Sequence, residues 1–463
     1  MEDLRDIAVD WAVLNGLVMA QNHANSAADR AVSHAPFSLV PARIPRTCFD
    51  SAVKLQPLFN ALVHAVSSDA AFVKEVMDSL STVDDFIAKC YKVYVQAVVQ
   101  ESPSQSITLG IHRSDYLLHK NEAAARIDIQ QVELNTIASS FGCLSTKTTE
   151  LHKFLYERAD TAKDYNLPSN NALQGLTKGL ARAWELYGSP TAVVVMVVQP
   201  GERNSFDQRW LENTLFTQYG VKMLRKSLLE LQQQGKLVGS ERKLILNGET
   251  EVAVAYFRAG YAPTDYPSEK EWDARLLVER SYAVKCPNIT YHLVGSKKIQ
   301  QILAQPKILD KFVPHRGHAE LLRSCFTGLY PLDSSAEGKA AYKMALQQPE
   351  RFVMKPQREG GGNNIYGMDV KVALEKLSPV ERNAYILMEL ICPPPARGVL
   401  VRQGQIIQGD VISELGVYGV WISEGDVVHM NETVGHLLRT KVAESHEGGV
   451  AAGYSVLDSP NLV

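Results

Sequence analysis

The stretch Lys-Pro-Gln-Arg-Glu-Gly-Gly-Gly-Asn-Asn-Ile-Tyr-Gly, residues 355–367, directly follows a strand-like apolar run. The three consecutive glycines at 360–362 carry no Cβ, so their backbone N–H groups can approach phosphate oxygens closely. Lys355 and Arg358 supply positive charge, and Glu359 is a hard oxygen ligand of the kind that Mg²⁺ prefers. The segment therefore predicts a loop that holds a nucleoside triphosphate.

The order of residues in this loop excludes the commoner nucleotide-binding motifs. In a Walker A loop the lysine follows the glycines, and no Gly-x4-Gly-Lys-Ser/Thr occurs in the chain. The glycines are contiguous, whereas a dinucleotide fingerprint spaces them as Gly-x-Gly-x-x-Gly. A flexible surface turn would explain the glycines but not the flanking charged and amide residues, and the loop alone leaves that alternative open.

Composition indicates an ordinary globular protein that has no general affinity for polyanions. The 463 residues are 45% hydrophobic, enough for a sizeable core and two or three domains. Lys and Arg number 48 against 51 Asp and Glu, a net charge of −3. Because no broad basic face follows from this balance, we expect neither nucleic acid nor a membrane as a partner. The longest apolar run, 192–198, is too short to span a bilayer and predicts a buried strand.

The N-terminal residues and the cysteines indicate the cellular compartment. The N-terminal residues 1–6 are acidic, where a signal or transit peptide would be basic, so we expect a cytoplasmic protein. A removed targeting segment, and with it an organellar form, stays open. Six cysteines are scattered without a Cys-x-x-Cys pair, which favours reduced thiols over a zinc site or disulfides.

Apolar periodicity predicts three regions, all of mixed α/β character. Region 1–190 is a helical N-terminal and core segment, in which 70–100 has helical spacing and 127–134 alternates, so that Glu133 and Asn135 share one face of a strand. Region 191–300 reads as a compact α/β domain with a tight turn at Asn247-Gly248. Region 301–463 is a lid and C-terminal core, in which 351–410 alternates strand, loop and helix as a lid would.

Short segments in the same order along the chain, from about residue 100 onward, resemble the eukaryotic-type glutathione synthetases of the ATP-grasp superfamily. Besides the glycine-rich loop, these are Arg113-Ser-Asp-Tyr116, Glu133-Leu-Asn-Thr-Ile137, Ser140-Phe-Gly142, Glu202-Arg-Asn204 with Gln208, Tyr256-Phe-Arg258 with Gly260-Tyr261, Lys297-Lys298, Ile412-Ser-Glu414, Arg439-Thr-Lys441 and Gly448-Gly-Val-Ala-Ala-Gly453.

The resemblance implies an α/β (α+β) fold, an ATP-grasp ligase core with an inserted substrate-binding α/β domain and a glycine-rich-loop lid. It implies that ATP phosphorylates γ-glutamylcysteine and that glycine then displaces phosphate to give glutathione, in a homodimeric enzyme that uses Mg²⁺. Two alternatives remain: a ligase that accepts β-alanine or serine, and a catalytically silent nucleotide-binding homologue. The small residues at 450–452 argue against a larger amino acid.

The resemblance also implies the ligands of the nucleotide and the metal. From its own segment Glu133 reads as an exposed strand carboxylate, and the family pattern makes it a magnesium ligand together with Asn135 and Glu359. The nucleotide would contact Glu133, Lys297, Lys355, Gln357, Arg358, Gly360, Gly361, Gly362, Asn363, Asn364, Tyr366, Met388, Glu389, Ile391, Glu414, Lys441 and Glu447.

For the amino-acid substrates, the family pattern assigns Arg113 and Arg439 to the reacting end as the catalytic cations. Ala138, Ala259 and Glu447 depart from residues found in some relatives, and losing one hydroxyl contact at Ala138 would weaken binding by about 1 kcal/mol. The implied substrate-binding set is Arg113, Ile137, Ala138, Ser139, Ser140, Glu202, Arg203, Asn204, Gln208, Arg258, Gly260, Tyr261, Arg439, Val450 and Ala451.

Overall fold

The computed structural model describes residues 1–21, 31–121, 126–159, 165–357, 363–445 and 448–463. Within these ranges, none of the helices is both long and apolar enough to cross a membrane. The predicted site residues that lie outside the described ranges are Arg358, Glu359, Gly360, Gly361, Gly362 and Glu447.

The helices pack on both faces of the sheets and at their ends. Those described are α1 (Glu2–Leu14), α2 (Arg46–Ser68), α3 (Ala70–Leu80), α4 (Asp85–Tyr94), α5 (Gly142–Arg158), α6 (Ala172–Tyr187), α7 (Ser205–Tyr219), α8 (Leu228–Gln234), α9 (Glu269–Arg280), α10 (Ile289–Val294), α11 (Lys297–Leu303), α12 (Ile308–Phe312), α13 (Arg316–Ser324), α14 (Ala336–Gln347), α15 (Met368–Lys376) and α16 (Pro379–Arg382).

The strands are short in the first hundred residues and long in the centre of the molecule. They are β1 (Val18–Ala20), β2 (Val32–His34), β3 (Phe37–Ser38), β4 (Ala42–Ile44), β5 (Ile107–Asn121), β6 (Arg126–Asn135), β7 (Val193–Val197), β8 (Met223–Lys226), β9 (Gly235–Val238), β10 (Lys243–Leu246), β11 (Thr250–Phe257), β12 (Val284–Cys286), β13 (Leu329–Pro331), β14 (Phe352–Pro356), β15 (Ile365–Tyr366), β16 (Tyr385–Glu389), β17 (Ala396–Arg402), β18 (Gln405–Glu424), β19 (Val427–Val442), β20 (Val456–Asp458) and β21 (Pro460–Leu462).

The largest sheet in the described chain has the strand order β17-β3-β20-β19-β18-β5-β6. β18 lies between β19 and β5 and is antiparallel to both, which places Glu414 opposite Arg439. On the next pair, Arg113 of β5 lies opposite Asn135 of β6. Strands from the predicted regions 1–190 and 301–463 therefore share one sheet, and the proposed domain boundaries remain a prediction.

A second sheet is built by residues 193–286, in the order β8-β7-β11-β10-β9 with β12 beside β11. β7, β8, β11 and β12 are parallel, and β10 joins β11 antiparallel through a tight turn. Asn247 and Gly248 in that turn both have positive φ, 51° and 80°. This matches the hairpin predicted from Asn-Gly, because a two-residue turn of this hand requires left-handed backbone at both positions.

A small antiparallel sheet, β13-β16-β14-β15, carries the segment that leads into the glycine-rich loop. One face of it packs on α14 and α15 through Phe352, Leu387, Ala341 and Val370. The other face presents Val353, Met388 and Ile391 to Leu117 and Val132 of the large sheet. Lys355 at the end of β14 and Tyr366 on β15 thus stand over the large sheet.

The first hundred residues contain more breaks than the periodicity predicts. The run 70–100 is divided into α3, α4 and a π-helix, Val95–Gln100, because Asp84 caps the new helix by accepting a hydrogen bond from Ile87 N at 2.9 Å. Strands β1–β4 also occur in this part of the chain, although its sequence predicts mostly helix. The strand that begins at Ile107 runs for 15 residues, to Asn121.

Candidate active site

A cleft of about 510 Å³ lies between the large sheet and the small antiparallel sheet. Its lining includes seventeen of the residues predicted for the site, brought together from distant parts of the chain: Arg113, Glu133, Asn135, Ile137, Ala138, Ser139, Ser140, Tyr261, Lys355, Asn364, Tyr366, Ile391, Glu414, Arg439, Lys441, Val450 and Ala451.

Two arginines at the middle of the cleft are held by one buried carboxylate. Arg113 and Asp115 share a face of β5 because alternate residues of a strand point the same way. Arg113 donates from Nε and Nη2 to the two oxygens of Asp115, at 2.6 and 2.8 Å. Arg439 Nη2 donates to Asp115 Oδ2 at 3.1 Å and also pairs with Glu414. The guanidinium groups are therefore fixed side by side.

Gly416 on β18 leaves the space that this arrangement needs. It lies opposite Asp115, and a Cβ on it would stand 2.6 Å from Asp115 Oδ1 and 2.9 Å from Arg113 Cδ. Burial alone would lower the pKa of Arg439, but Glu414 and Asp115 outweigh it, so the pKa lies above its ordinary value. Burial raises the pKa of Glu414, and Arg439 offsets this in part.

The carboxylate and the lysines predicted to meet phosphate and metal stand beside this pair. Lys297 Nζ donates to Glu133 Oε2 at 2.9 Å, and Lys355 Nζ donates to Val132 O at 2.9 Å. Burial would raise the pKa of Glu133, but Lys297, Lys355 and Arg439 outweigh burial and hold it well below its usual range. Glu133 is therefore a carboxylate at neutral pH.

Asn135 offers the second hard oxygen. Its Nδ2 donates to Asp115 Oδ2 at 3.1 Å and to Arg113 O at 3.2 Å, which directs the amide group with its nitrogen toward β5. The Oδ1 atom is not used in these bonds. Within the described residues, no cluster of three or more His, Cys, Asp or Glu could hold a metal by itself. A metal at Glu133 and Asn135 would therefore need further oxygens, such as those of a bound triphosphate.

The end of the cleft beneath the small sheet is apolar. Leu117, Val132 and Ile391 line it, and Tyr366 closes one side, with Asn364 Nδ2 donating to Tyr366 Oη at 3.1 Å. A planar base fits such a slot. Met388, predicted to contact the nucleotide, packs behind Ile391 in the same apolar cluster and does not line the cleft.

Four other described residues predicted to contact the nucleotide do not line the cleft: Lys297, Gln357, Asn363 and Glu389. Glu389 accepts a hydrogen bond from Tyr330 Oη at 2.9 Å, and Gln357 accepts one from Lys298 N at 3.0 Å. Asn363 is exposed.

The opposite end of the cleft is formed by the turn at residues 137–141, between β6 and α5. Ala138 and Phe141 adopt left-handed backbone, with φ of 52° and 71°. The turn is held to the large sheet, because Ser140 O accepts hydrogen bonds from Arg113 Nη1 at 3.2 Å and from Tyr418 Oη at 2.5 Å. Arg113, which is predicted to be catalytic, and the predicted substrate turn are therefore joined directly.

Asp207 organises this end of the site from α7. Its carboxylate accepts hydrogen bonds from the backbone N–H groups of Phe141, Cys143 and Leu144, at 2.9 to 3.2 Å, which satisfies the first turn of α5. The same carboxylate accepts from Arg258 Nη2 at 3.0 Å. Burial alone would lower the pKa of Arg258, but the opposite effect of Tyr256 and Asp207 is larger. The pKa therefore lies above its ordinary value, and Arg258 stays charged.

Buried polar atoms near Arg258 have no hydrogen-bond partner among the described residues. They are both amide atoms of Asn204, both of Gln208, Ser139 Oγ and Arg258 Nε. Buried polar groups in proteins are nearly always paired. A cation, two amides and a hydroxyl match a ligand that carries carboxylate, amide and ammonium groups, as a dipeptide does.

The other predicted substrate residues take different positions. Gly260 N and Tyr261 N donate to Asp265 at 2.9 and 3.1 Å, which presents the Tyr261 ring to the cleft. Glu202 accepts from Asn204 N at 2.7 Å. The exposed Arg203 side chain does not face Asn204 and instead donates to Ala451 O at 3.1 Å.

Sequence reasoning missed the residues that support the site. Asp115 enters the sequence analysis only within the segment Arg113-Ser-Asp-Tyr116, and Asp207, Tyr418, Leu117 and Val132 are not singled out there. Asp115 carries a usable signal, since it is two positions from Arg113 and two such residues share a face wherever the chain forms a strand. Asp207 gives no such signal, because its partners are 51 to 66 positions away in the chain.

A mixed α/β chain in which a small antiparallel sheet carries a lysine over a charged cleft is typical of the ATP-grasp enzymes. The model for the eukaryotic glutathione synthase ATP-binding domain matches residues 1–462. The chain is 44% identical over 470 residues to glutathione synthetase of Xenopus laevis, covering 100% of this chain and 97% of that protein. It is also 44% identical over 472 residues to the chloroplastic glutathione synthetase of Solanum lycopersicum, covering 100% and 84%. This chain belongs to the eukaryotic glutathione synthase family.

A solved structure shows the same fold. It is a glutathione synthetase-like effector from Globodera pallida in its apo form, with a TM-score of 0.80 and 24% sequence identity, covering 100% of this chain and 96% of that one.

Proposed function

We propose that this protein joins γ-glutamylcysteine to glycine with the energy of ATP, giving glutathione, ADP and phosphate through an acyl phosphate. The observation that carries the proposal is the position of Arg113 and Arg439. They lie in one cleft, between the lysine and carboxylate groups at Lys355 and Glu133 and the turn at 137–141. A carboxylate to be activated, the transferred phosphoryl group and the incoming amine meet at such a point.

The first step is phosphoryl transfer from ATP to the C-terminal carboxylate of the dipeptide. It requires positive charge along the triphosphate more than it requires acid or base groups. Lys355 lines the cleft and Lys297 is buried beside Glu133, and both supply this charge. The apolar slot of Leu117, Val132 and Ile391 holds the base, which orients the γ-phosphate toward the arginines.

The second step is attack of the glycine amine on the acyl phosphate. The two arginines stabilise the negative charge that develops on the tetrahedral intermediate and on departing phosphate. They remain charged throughout, because Asp115 holds the pKa of Arg113 above its ordinary value, and Glu414 and Asp115 do the same for Arg439. No protein base is needed when the amine arrives deprotonated. The small side chains of Val450 and Ala451 leave room for glycine.

We further propose that Mg²⁺ is held by Glu133, Asn135 and Glu359 together with phosphate oxygens. A low pKa at Glu133 and a free Oδ1 on Asn135 fit a hard cation. Bound there, the cation would neutralise charge on the triphosphate. Glu359→Ala should lower turnover by orders of magnitude with the fold intact. Glu375→Ala, an exposed glutamate on α15 of the same lid, is the matched control and should leave activity unchanged.

The test of the function is ADP release with ATP, Mg²⁺, γ-glutamylcysteine and glycine, omitting each component in turn. The proposal requires turnover that depends on all four and forms glutathione in proportion to ADP. Preference for β-alanine or serine over glycine would keep the mechanism and change the product. ATP binding without any turnover would overturn the enzyme assignment in favour of a silent nucleotide-binding protein.

Family resemblance also supports a homodimer and a cytoplasmic location as proposals. Light scattering on the purified chain, which has a subunit mass of 51.2 kDa, measures the first. Cell fractionation measures the second, and a plastid or mitochondrial signal would contradict it.

A further inference from the structure

Arg203 differs from its neighbours in the direction of its side chain. Asn204 is buried, with 2% of its surface exposed, and Glu202 is half-buried and accepts from Asn204 N and Gln199 Nε2 at 2.7 and 3.2 Å. Arg203 is exposed. Its guanidinium therefore points away from the buried amides of Asn204 and Gln208, where a dipeptide would be recognised.

The guanidinium instead reaches the segment that closes the glycine end of the cleft, residues 448–455. Arg203 Nη1 donates to Ala451 O at 3.1 Å across 248 positions of the chain. The segment is also folded on itself, since Gly453 N donates to Val450 O at 3.0 Å and Tyr454 N donates to Gly449 O at 2.9 Å. The hydrogen bond from Arg203 thus connects this segment with the loop that precedes α7.

The backbone at Arg203 is itself held in place. Its carbonyl oxygen accepts from Ala20 N at 3.0 Å, at the end of β1. The helix that follows, α7, carries Asp207, which is held by Arg258 and by the first turn of α5. A guanidinium donor makes a stronger hydrogen bond than a neutral one. Arg203 can therefore hold the closing segment against a rigid part of the protein.

We propose that Arg203 is a positioning residue that holds the glycine-binding segment 448–455 closed, and that it is not a ligand of the dipeptide. This inference rests on the proposed function, because it assigns Arg203 to the second step of that reaction. A closed segment keeps glycine next to the acyl phosphate and keeps water away from it. Without the hydrogen bond from Arg203, the segment opens more often, glycine binds less tightly, and water hydrolyses part of the acyl phosphate.

Steady-state kinetics of Arg203→Ala test this assignment. We expect the KM for glycine to rise about tenfold, as loss of one charge-assisted hydrogen bond implies. The KM for γ-glutamylcysteine should change less than about twofold, since the Asn204 and Gln208 amides are untouched. ADP released per glutathione formed should rise above one, which a merely structural weakening would not cause.

Two further variants control the experiment. Arg203→Lys retains a cationic donor and should recover part of the glycine affinity and of the ADP-to-glutathione coupling. Arg209→Ala removes a nearby arginine on α7 whose guanidinium pairs with Glu212 at 2.6 Å. It should behave as wild type. Equal melting temperatures for the three variants would establish that each is folded.

Amide hydrogen exchange over residues 448–455 provides a readout that does not depend on turnover. The Gly453 and Tyr454 amides should exchange faster in Arg203→Ala than in wild type or Arg209→Ala. Unchanged exchange, or a rise in the KM for γ-glutamylcysteine with no change in the KM for glycine, contradicts the proposed role of Arg203. A wild-type protein that forms no glutathione overturns the proposed function, and exchange then still reports on the contact itself.

Discussion

Arg113 and Asp115 form a two-point ion pair within a single strand, with Nε to Oδ1 at 2.6 Å and Nη2 to Oδ2 at 2.8 Å, and both side chains are buried. Two parallel hydrogen bonds fix the plane of the guanidinium as well as its position. The remaining nitrogen, Nη1, is then directed to Ser140 O at the substrate turn. One carboxylate on β5 thus determines where the positive charge of Arg113 lies in the cleft.

Asp115→Asn should damage catalysis more than substrate binding. An amide can accept on one atom only, so Arg113 loses one bond and Arg439 loses its bond to Oδ2. Displacing a catalytic group by about 1 Å can cost about a hundredfold in rate, and we expect kcat to fall by that order. Kinetics with saturating ATP, dipeptide and glycine measure it.

Asp128→Asn is the control for this change. Asp128 lies on the neighbouring strand β6 and pairs with Arg126 away from the cleft. It should retain wild-type kcat. Equal rates for Asp115→Asn and Asp128→Asn would refute the positioning role of Asp115.

Asp207→Ala should reduce both stability and dipeptide affinity. The change leaves Arg258 as a buried charge without its partner, which typically costs about 3–5 kcal/mol, and it removes the acceptor for the first turn of α5. Urea unfolding and the KM for γ-glutamylcysteine are the measurements, with both expected to change.

A second capping aspartate separates the two effects. Asp69→Ala removes the cap of α3, whose residues do not line the cleft, and should cost about 1 kcal/mol of stability. Its KM for γ-glutamylcysteine should stay at the wild-type value. If Asp207→Ala lowered stability without changing that KM, Asp207 would be a helix cap and nothing more.

Lys297→Met should shift the acid limb of the pH profile upward. Burial favours protonation of Glu133, and Lys297 is the first of the cations that oppose it, so the pKa of Glu133 rises when Lys297 is lost. Protonated Glu133 cannot bind Mg²⁺, so kcat/KM for ATP should begin to fall at higher pH than in wild type. Activity measured from pH 5.5 to 9 tests the shift independently of absolute rate.

The same pKa shift has a consequence for stability. A carboxylate whose pKa is lowered on folding stabilises the fold above its unfolded pKa, near 4.3, and this contribution is lost as pH falls through the folded value. Lys297→Met should weaken that contribution at neutral pH.

Lys298→Met is the matched control for the pH profile. Lys298 Nζ lies near Asp333, at 3.8 Å, so its loss should leave the acid limb in place.

Local patterns in the sequence predict the parts of the site that depend on neighbours in the chain. Strand alternation places Glu133 and Asn135 in one cleft, and Asn247-Gly248 forms the predicted turn. Contacts between distant segments leave no periodic trace. Asp207 could not be linked to Phe141 and Arg258, nor Arg203 to Ala451, because those pairs form only when separate elements pack.

Resemblance to a family supplies site residues but not their orientation. Arg203 and Met388 were predicted as ligands from their places in matched segments. The structure directs Arg203 to a backbone carbonyl and buries Met388 behind Ile391. Orientation depends on the packing of each side chain, which a match of short motifs does not describe.

Ala451→Leu should reduce the use of glycine while leaving the dipeptide site intact. Ala451 is half-buried, lines the cleft beside Val450 and packs against the core that contains α5–α7. A leucine there fills the space meant for a small amino acid, so we expect the KM for glycine to rise about five- to 150-fold, as overpacking by about 1–3 kcal/mol implies. The KM for γ-glutamylcysteine, measured in parallel, should remain near wild type. Ala451→Gly enlarges the space and should retain glycine while accepting β-alanine or serine more readily. Unchanged glycine kinetics in Ala451→Leu would place the glycine site elsewhere in the cleft.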